Sequence, residues 1–167
     1  MQNTTLCYLE KKDKMLMLHR VKEQGDVNAG KFLGVGGHFE EGESPFDCAI
    51  REIFEETGLA VTSLSYRGIV TFVSDVYECE QMHLFSSDGF LGEDTFPDYD
   101  PLGEKDTPSC DEGILSWVKK SDLFSLPMWE GDEVFLRLMA AAEPFFCLKL
   151  VYRGDTLVQK VLNGVEL

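Results

Sequence analysis

Residues Gly37 to Leu59 read GHFEEGESPFDCAIREIFEETGL, and this stretch decides how the chain folds around its chemistry. It holds seven acidic side chains and one arginine. Its helix signals are local. Ser44 is a capping residue, Pro45 takes the first helical position, where a missing N–H costs no hydrogen bond, and Asp47 completes a Ser-x-x-Asp capping box. Thr57-Gly58 supplies the stop. At about 100° per residue, Phe46, Ala49, Ile50, Ile53 and Phe54 fall in one broad apolar sector, and Arg51, Glu52, Glu55 and Glu56 in the opposite one. The pattern predicts a helix that packs on the first sector and presents charge on the second.

One arginine does not offset three glutamates on neighbouring turns. A solvated surface helix is the common explanation of such a run, but the flanks argue otherwise. Gly34-Val35-Gly36-Gly37 lets the backbone turn sharply and bring carbonyls close, and Gly42-Glu43 adds a second tight, acidic turn. A hard divalent cation would neutralise the cluster. Mg²⁺, with Mn²⁺ as the alternative, takes carboxylate and carbonyl oxygens and keeps open positions that phosphate oxygens fill.

Outward from this segment, 167 residues with 44% hydrophobic content are enough for one core and need no second domain. The five cysteines, Cys7, Cys48, Cys79, Cys110 and Cys147, are scattered and form no C-x-x-C pair, so neither a disulfide framework nor a zinc site is indicated. No apolar run reaches membrane-spanning length, and the start MQNTT lacks the basic-then-apolar pattern of a secretory leader. A cytosolic protein, monomer or homodimer, is expected. A net charge of −15 repels a polymeric nucleic-acid backbone. It does not repel a small polyphosphate accompanied by cations.

Strand and helix signals alternate. Thr5 to Glu10 and Met15 to Arg20 read as a hairpin, and Leu64 to Val73 and Tyr77 to Phe85 as two further strands. Gly92 to Asp111 is a long polar loop. Ile114 to Val118 reads as a strand, Ser121 to Phe124 as a helical turn, and Glu130 to Ala142 as a helix with Val134, Phe135, Leu138 and Met139 inward. Phe145 to Tyr152 and Thr156 to Leu162 close the chain as a hairpin. A mixed sheet between helices accommodates this order.

Gly37, five residues, Glu43, seven residues, then Arg51-Glu52-Ile53-Phe54-Glu55-Glu56-Thr57-Gly58-Leu59 resembles, at every restricted position, the signature of the Nudix hydrolases, G-x5-E-x7-R-E-U-x-E-E-x-G-U with U aliphatic. The resemblance implies an α/β fold, an α/β/α sandwich with a mixed central sheet, over a single domain spanning residues 1–167. It implies metal-dependent hydrolysis of a phosphorus anhydride in a nucleotide. By resemblance, Glu55 and Glu56 are metal ligands, together with a backbone carbonyl near Gly36 or Gly37. Glu52 is a further ligand or the general base, Arg51 orients a glutamate, and Glu43 supports the loop against the helix. A further acid is expected from a later loop, Glu112 first and Asp111 second.

Specificity lies outside the signature. In Leu126-Pro127-Met128-Trp129-Glu130-Gly131-Asp132, Trp129 offers a flat face for a purine, a contact of about 1–3 kcal/mol per base, and Asp132 can read a base edge. The plainer reading of Trp129 is a packing anchor at the start of a helix. The W-x-x-D pattern, with the closing hairpin Phe146 to Asp155, resembles the oxidised-purine triphosphatases, the 8-oxo-dGTP diphosphatase (MutT-like) branch. That branch in mammals has Trp-Pro-Asp-Asp and an asparagine before the glycine run, where this chain has Glu130-Gly131-Asp132 and Leu33. Gly36 and His38, in and beside the glycine run, are candidate phosphate contacts. The implied alternatives are an ADP-ribose or nucleotide-sugar pyrophosphatase, with the long acidic loop shaping a second sugar pocket, and a non-catalytic nucleotide-sensing module. Trp117, His19, His83 and the methionines read as packing residues, and nothing adjacent to Cys48 is expected to lower its pKa.

Overall fold

A computed structural model describes residues 1–21, 26–102, 110 and 112–167. The elements run β1 (Gln2–Lys11), β2 (Lys14–His19), β3 (Phe32–Leu33), α1 (Pro45–Thr57), β4 (Ala60–Val61), β5 (Ser65–Ser74), β6 (Glu80–Ser87), β7 (Phe90–Leu91) and β8 (Ile114–Lys119). A 3-10 turn over Lys120–Ser125 follows, then α2 (Glu130–Ala140), β9 (Phe146–Arg153), β10 (Thr156–Leu162) and β11 (Val165–Glu166). The main sheet has the order β11-β10-β9-β5-β6-β1-β2-β3, with β8 also paired to β2. β1 with β6 and β5 with β9 are parallel, and their neighbours antiparallel, so the sheet is mixed. β4 and β7 form a separate two-stranded ribbon.

Side chains alternate across a strand, and here both faces are covered. Tyr8, Met15, Met17 and Leu84 point into one core with Phe135, Leu136 and Met139 of α2. Their neighbours Cys7, Leu9, Leu16, Leu18 and Phe85 point into a second core with Ala49 and Ile53 of α1. The result is the α/β/α sandwich. Among the described residues, no helix is long and apolar enough to cross a membrane.

The caps of α1 are as expected: Ser44 accepts from Asp47 N–H, Asp47 accepts from Ser44 N–H, and Gly58 takes the left-handed conformation at φ 73°. Its packing face is not. Phe46, Ile50 and Phe54 are 42, 47 and 58% exposed, whereas Cys48, Ala49, Ile53 and Thr57 are buried. The helix is rolled so that Glu52 and Glu56 turn inward to the glycine loop, and the outer edge of the expected apolar sector is left at the surface. Phe46 still sets its ring edge-on against Tyr66 and Phe85. In α2 the inward face is likewise displaced. Asp132, Phe135, Leu136 and Met139 are buried at the i, i+3, i+4, i+7 spacing, while Val134 and Leu138 are only half-buried.

The strand expected from Tyr77 starts at Glu80, with Tyr77 in the preceding turn. In the long polar segment, Asp94 accepts from the Trp117 indole at 2.9 Å and from Lys11 at 2.6 Å, and Asp98 bridges to Trp117. This anchoring, with the backbone bonds of Pro97 and Tyr99 to Trp117, holds residues 94–99 against β8.

Candidate active site

The glycine loop is tied to β1 by three backbone bonds: Cys7 N–H to Val35, Val35 N–H to Cys7, and Thr5 N–H to Gly37. The approach excludes side chains. A β-carbon on Gly36 would overlap the Thr5 carbonyl, and one on Gly37 would sit 2.5 Å from Glu52 Oε1. Glycine at 37 therefore makes the space in which the Glu52 carboxylate lies. Gly36 N–H donates to Glu56 Oε2 at 3.0 Å, joining loop and helix one turn further on.

Arg51 organises the other side. Its Nε and Nη2 each donate to Glu43 at 2.8 Å, the two-pronged geometry that guanidinium and carboxylate favour, and Nη1 donates to Glu52 at 2.8 Å and Glu55 at 3.2 Å. Nη2 also donates to the His38 carbonyl. The Arg51 bonds, with the Glu40 N–H, hold the Glu43 carboxyl down at about 2, and these glutamates push Arg51 itself further up. Glu43 thus links the Gly42 turn to the helix through Arg51.

Glu52 and Glu56 have the opposite electrostatics. Burial raises Glu52 despite Arg51, and raises Glu56 well above the carboxylate range, reinforced by the nearby Glu112. Glu56 Oε1 is buried without a partner among the described residues. The orphaned oxygen of Glu56, crowded by Glu112 and near Glu52, is a hard donor of the kind a divalent cation takes, although among the described residues no group of three or more acids, histidines or cysteines is drawn together as a formed metal site. Glu55 sits at the solvent edge, its side chain 55% exposed and paired with Arg51. Asp111, the second candidate for the further acid, lies outside the described residues.

A cavity of about 580 Å³ runs from the edge of this cluster, where Glu112 lines it and Glu52, Glu55 and Glu56 do not, to the specificity segment. Gly36, Gly37, His38 and Glu112 line it, as do Trp129 and Asp132, with Leu6, Phe72 and Met82 as apolar wall. None of residues 92–102 does. Trp129 is both anchor and wall: it is 9% exposed, its ring meets Tyr77 and Tyr152 edge-on, and the Lys31 ammonium lies 4.4 Å from its centroid. The open platform expected from sequence is therefore narrowed by Lys31. Asp132 is buried, its Oδ2 has no partner among the described residues, and desolvation, partly opposed by Lys31, pushes its carboxyl to about 7. Gly131 N–H donates to Tyr152 Oη at 2.7 Å, and that hydroxyl fills the space a side chain at 131 would need.

Two cavity residues escaped the sequence reading. Arg20 lines the cavity, paired with Asp26 at 3.1 Å and Glu112 at 3.7 Å, and Asn28 lines it beside Trp129. Their partners are distant in sequence or separated by irregular chain, so no periodicity marks them. Cys48 does have a neighbouring cation, since Arg51 Nη2 lies 3.8 Å from Sγ, but burial prevails and the thiol is raised. It packs against Thr5 and the carbonyls of Gly37 and His38.

The NUDIX domain profile matches residues 2–139. The chain is 38% identical over 149 residues to the oxidized purine nucleoside triphosphate hydrolase of Mus musculus, covering 87% of this chain and 85% of the mouse protein. It is 29% identical over 143 residues to the uncharacterized Nudix hydrolase YvcI of Bacillus subtilis (strain 168), covering 83% of this chain and 79% of that protein. Among solved structures, the MutT protein from Bacillus halodurans superposes with a TM-score of 0.79 at 25% identity, covering 98% of each chain. Together with the signature helix and the half-buried glutamates that it positions, these matches show that this chain belongs to the Nudix family and is a Nudix hydrolase of MutT-like fold.

Proposed function

We propose that the protein cleaves nucleoside triphosphates to monophosphate and pyrophosphate, with oxidised purine deoxynucleotides, 8-oxo-dGTP foremost, as favoured substrates. Nucleotide-pool sanitation in the cytosol by a single domain over residues 1–167 is the corresponding role. The observation that carries this reading is one cavity lined both by the acid Glu112 beside Glu56 and by the purine-sized wall of Trp129 and Asp132. The mouse relative's name, oxidized purine nucleoside triphosphate hydrolase, supports it.

Nudix hydrolases use divalent metals, and Mg²⁺ is the ion proposed here, with Mn²⁺ able to replace it. Glu52, Glu56 and Glu112 would hold it, with Glu55 swinging in from the solvent edge and the Gly37 backbone contributing a carbonyl. Bound metal supplies neutralisation of phosphate charge and a more acidic water. Glu52 would be a further ligand or the base that takes a proton from water; Arg51 fixes its Oε1 and Glu43 fixes Arg51. Gly36 and His38, which line the cavity, would contact the phosphates. Trp129 and Asp132 contact the base.

An ADP-ribose or nucleotide-sugar pyrophosphatase is the second reading, and it requires a pocket for a second sugar. The loop expected to shape one runs from Gly92 to Asp111; within it Asp94, Pro97, Asp98 and Tyr99 are bonded to Trp117 of β8, none of residues 92–102 lines the cavity, and residues 103–109 and 111 lie outside the described residues. A nucleotide-sensing module is the third, and the intact Arg51, Glu52, Glu55 and Glu56 weigh against it. The discriminating experiment measures kcat/KM with Mg²⁺ for 8-oxo-dGTP, the unmodified triphosphates, ADP-ribose and nucleotide sugars. A preference for 8-oxo-dGTP is expected; a preference for ADP-ribose overturns the substrate assignment, and no turnover favours the sensing module.

A further inference from the structure

Asn28 lines the cavity beside Trp129 and Asp132, and its Oδ1 accepts the Trp129 indole N–H at 2.8 Å. An indole nitrogen only donates. The contact therefore fixes which way the carboxamide faces: the oxygen is committed to Trp129, and Nδ2 carries two N–H donors with no partner among the described residues. The surrounding chain is also fixed. Asn28 N–H donates to Asp26 Oδ1 at 3.1 Å, Asp26 is paired with Arg20, and Gly30 N–H donates to the Arg20 carbonyl at 2.5 Å. Trp129 is in turn held by Lys31 over its ring and Tyr77 and Tyr152 at its edges. The amide is thus a preorganised donor on the cavity wall.

We propose that Asn28 is a specificity-determining residue whose locked amino group donates to a carbonyl on the base edge, selecting 6-oxo over 6-amino purines. This rests on the reading of the cavity as a purine triphosphate site. The neighbouring carboxyl completes the pattern. Ionised Asp132 accepts from N–H groups and lines the same cavity as Asn28, so the wall offers one donor and one acceptor, the two groups that a carbonyl at position 6 and N–H at positions 1 and 2 call for. A 6-amino group brings donor against donor. Asn28 does not relieve this by flipping, because its amino group would then face the Trp129 N–H and leave both donors unpaired. Sites built around such a bond discriminate strongly against analogues that cannot make it, here on the order of 10- to 100-fold.

The test compares kcat/KM for 8-oxo-dGTP and for its 2,6-diamino counterpart at pH 8.5, where Asp132 is ionised, in wild type, Asn28→Asp and Asn28→Ala. Asn28→Asp keeps the acceptor for Trp129 and removes the donor; Asn28→Ala removes the donor without adding charge. Trp fluorescence and melting temperature verify that the wall is intact. The expected result is at least a 10-fold fall in the 6-oxo to 6-amino ratio in both variants. An unchanged ratio, or an equal loss on both substrates, overturns the role of Asn28 while leaving triphosphate hydrolysis standing. A wild type that turns over neither purine triphosphate but cleaves ADP-ribose overturns the underlying substrate reading instead, and shows this before any variant is made.

Discussion

Glu52 lies so close to Gly37 that a β-carbon at residue 37 would come 2.5 Å from Glu52 Oε1. The obstacle is the end of a flexible side chain, so the fold tolerates Gly37→Ala by moving Glu52. Activity does not, because a displacement of about 1 Å at the reacting centre costs roughly 100-fold. Gly36→Ala behaves differently: its β-carbon meets the Thr5 backbone carbonyl, which has no room to move, and stability should fall by about 3 kcal/mol. Urea unfolding and steady-state kinetics on both variants check the contrast.

Arg51→Lys should lower kcat about 10- to 100-fold, because an ammonium does not reproduce the fork that grips Glu43 while reaching Glu52. The pH response has a definite sign. Glu43 is held at about 2 against an ordinary 4.5, so its contribution to stability is present above pH 4.5 and is lost as pH falls toward 2. The variant should unfold at higher pH than wild type in an acid titration followed by circular dichroism.

Asp132 has the reverse sign. Its carboxyl is raised from 3.8 to about 7, so stability is greatest below pH 3.8 on its account and declines as pH rises through 7. The Asp132→Asn variant lacks this decline and should gain on wild type by at most about 4 kcal/mol between pH 4 and 8. Thermal melts across that range measure the difference, and base selectivity should fall in the same variant.

The helix ends were legible because caps are local: Ser44, Pro45, Asp47 and Gly58 act on their own neighbours. The face α1 buries was not, because it is set by the glycine loop drawing in Glu52 and Glu56, and hydrophobic periodicity then misplaced Phe46, Ile50 and Phe54. The two-residue strands β3, β4, β7 and β11 are too short to show a period. In the site, the signature placed Arg51, Glu43, Glu52 and Glu56 together, whereas Lys31 over Trp129 and Asn28 against its indole join loop and helix across about a hundred residues.

Metal binding should release protons. Glu56 is raised by burial and by the nearby Glu112, so a cation must displace the proton Glu56 holds. The melting temperature should rise on adding Mg²⁺, more at pH 8 than at pH 6, and return with EDTA. Glu56→Gln should abolish the shift, and calorimetry in buffers of different ionisation enthalpy reports the protons released.

The most direct measurement is phosphorus NMR of the products formed from 8-oxo-dGTP with Mg²⁺, in wild type and Glu52→Gln. Monophosphate and pyrophosphate, with turnover reduced by several orders of magnitude in the variant, are the predicted result. Release of orthophosphate and diphosphate, or an unchanged rate in Glu52→Gln, would contradict the account.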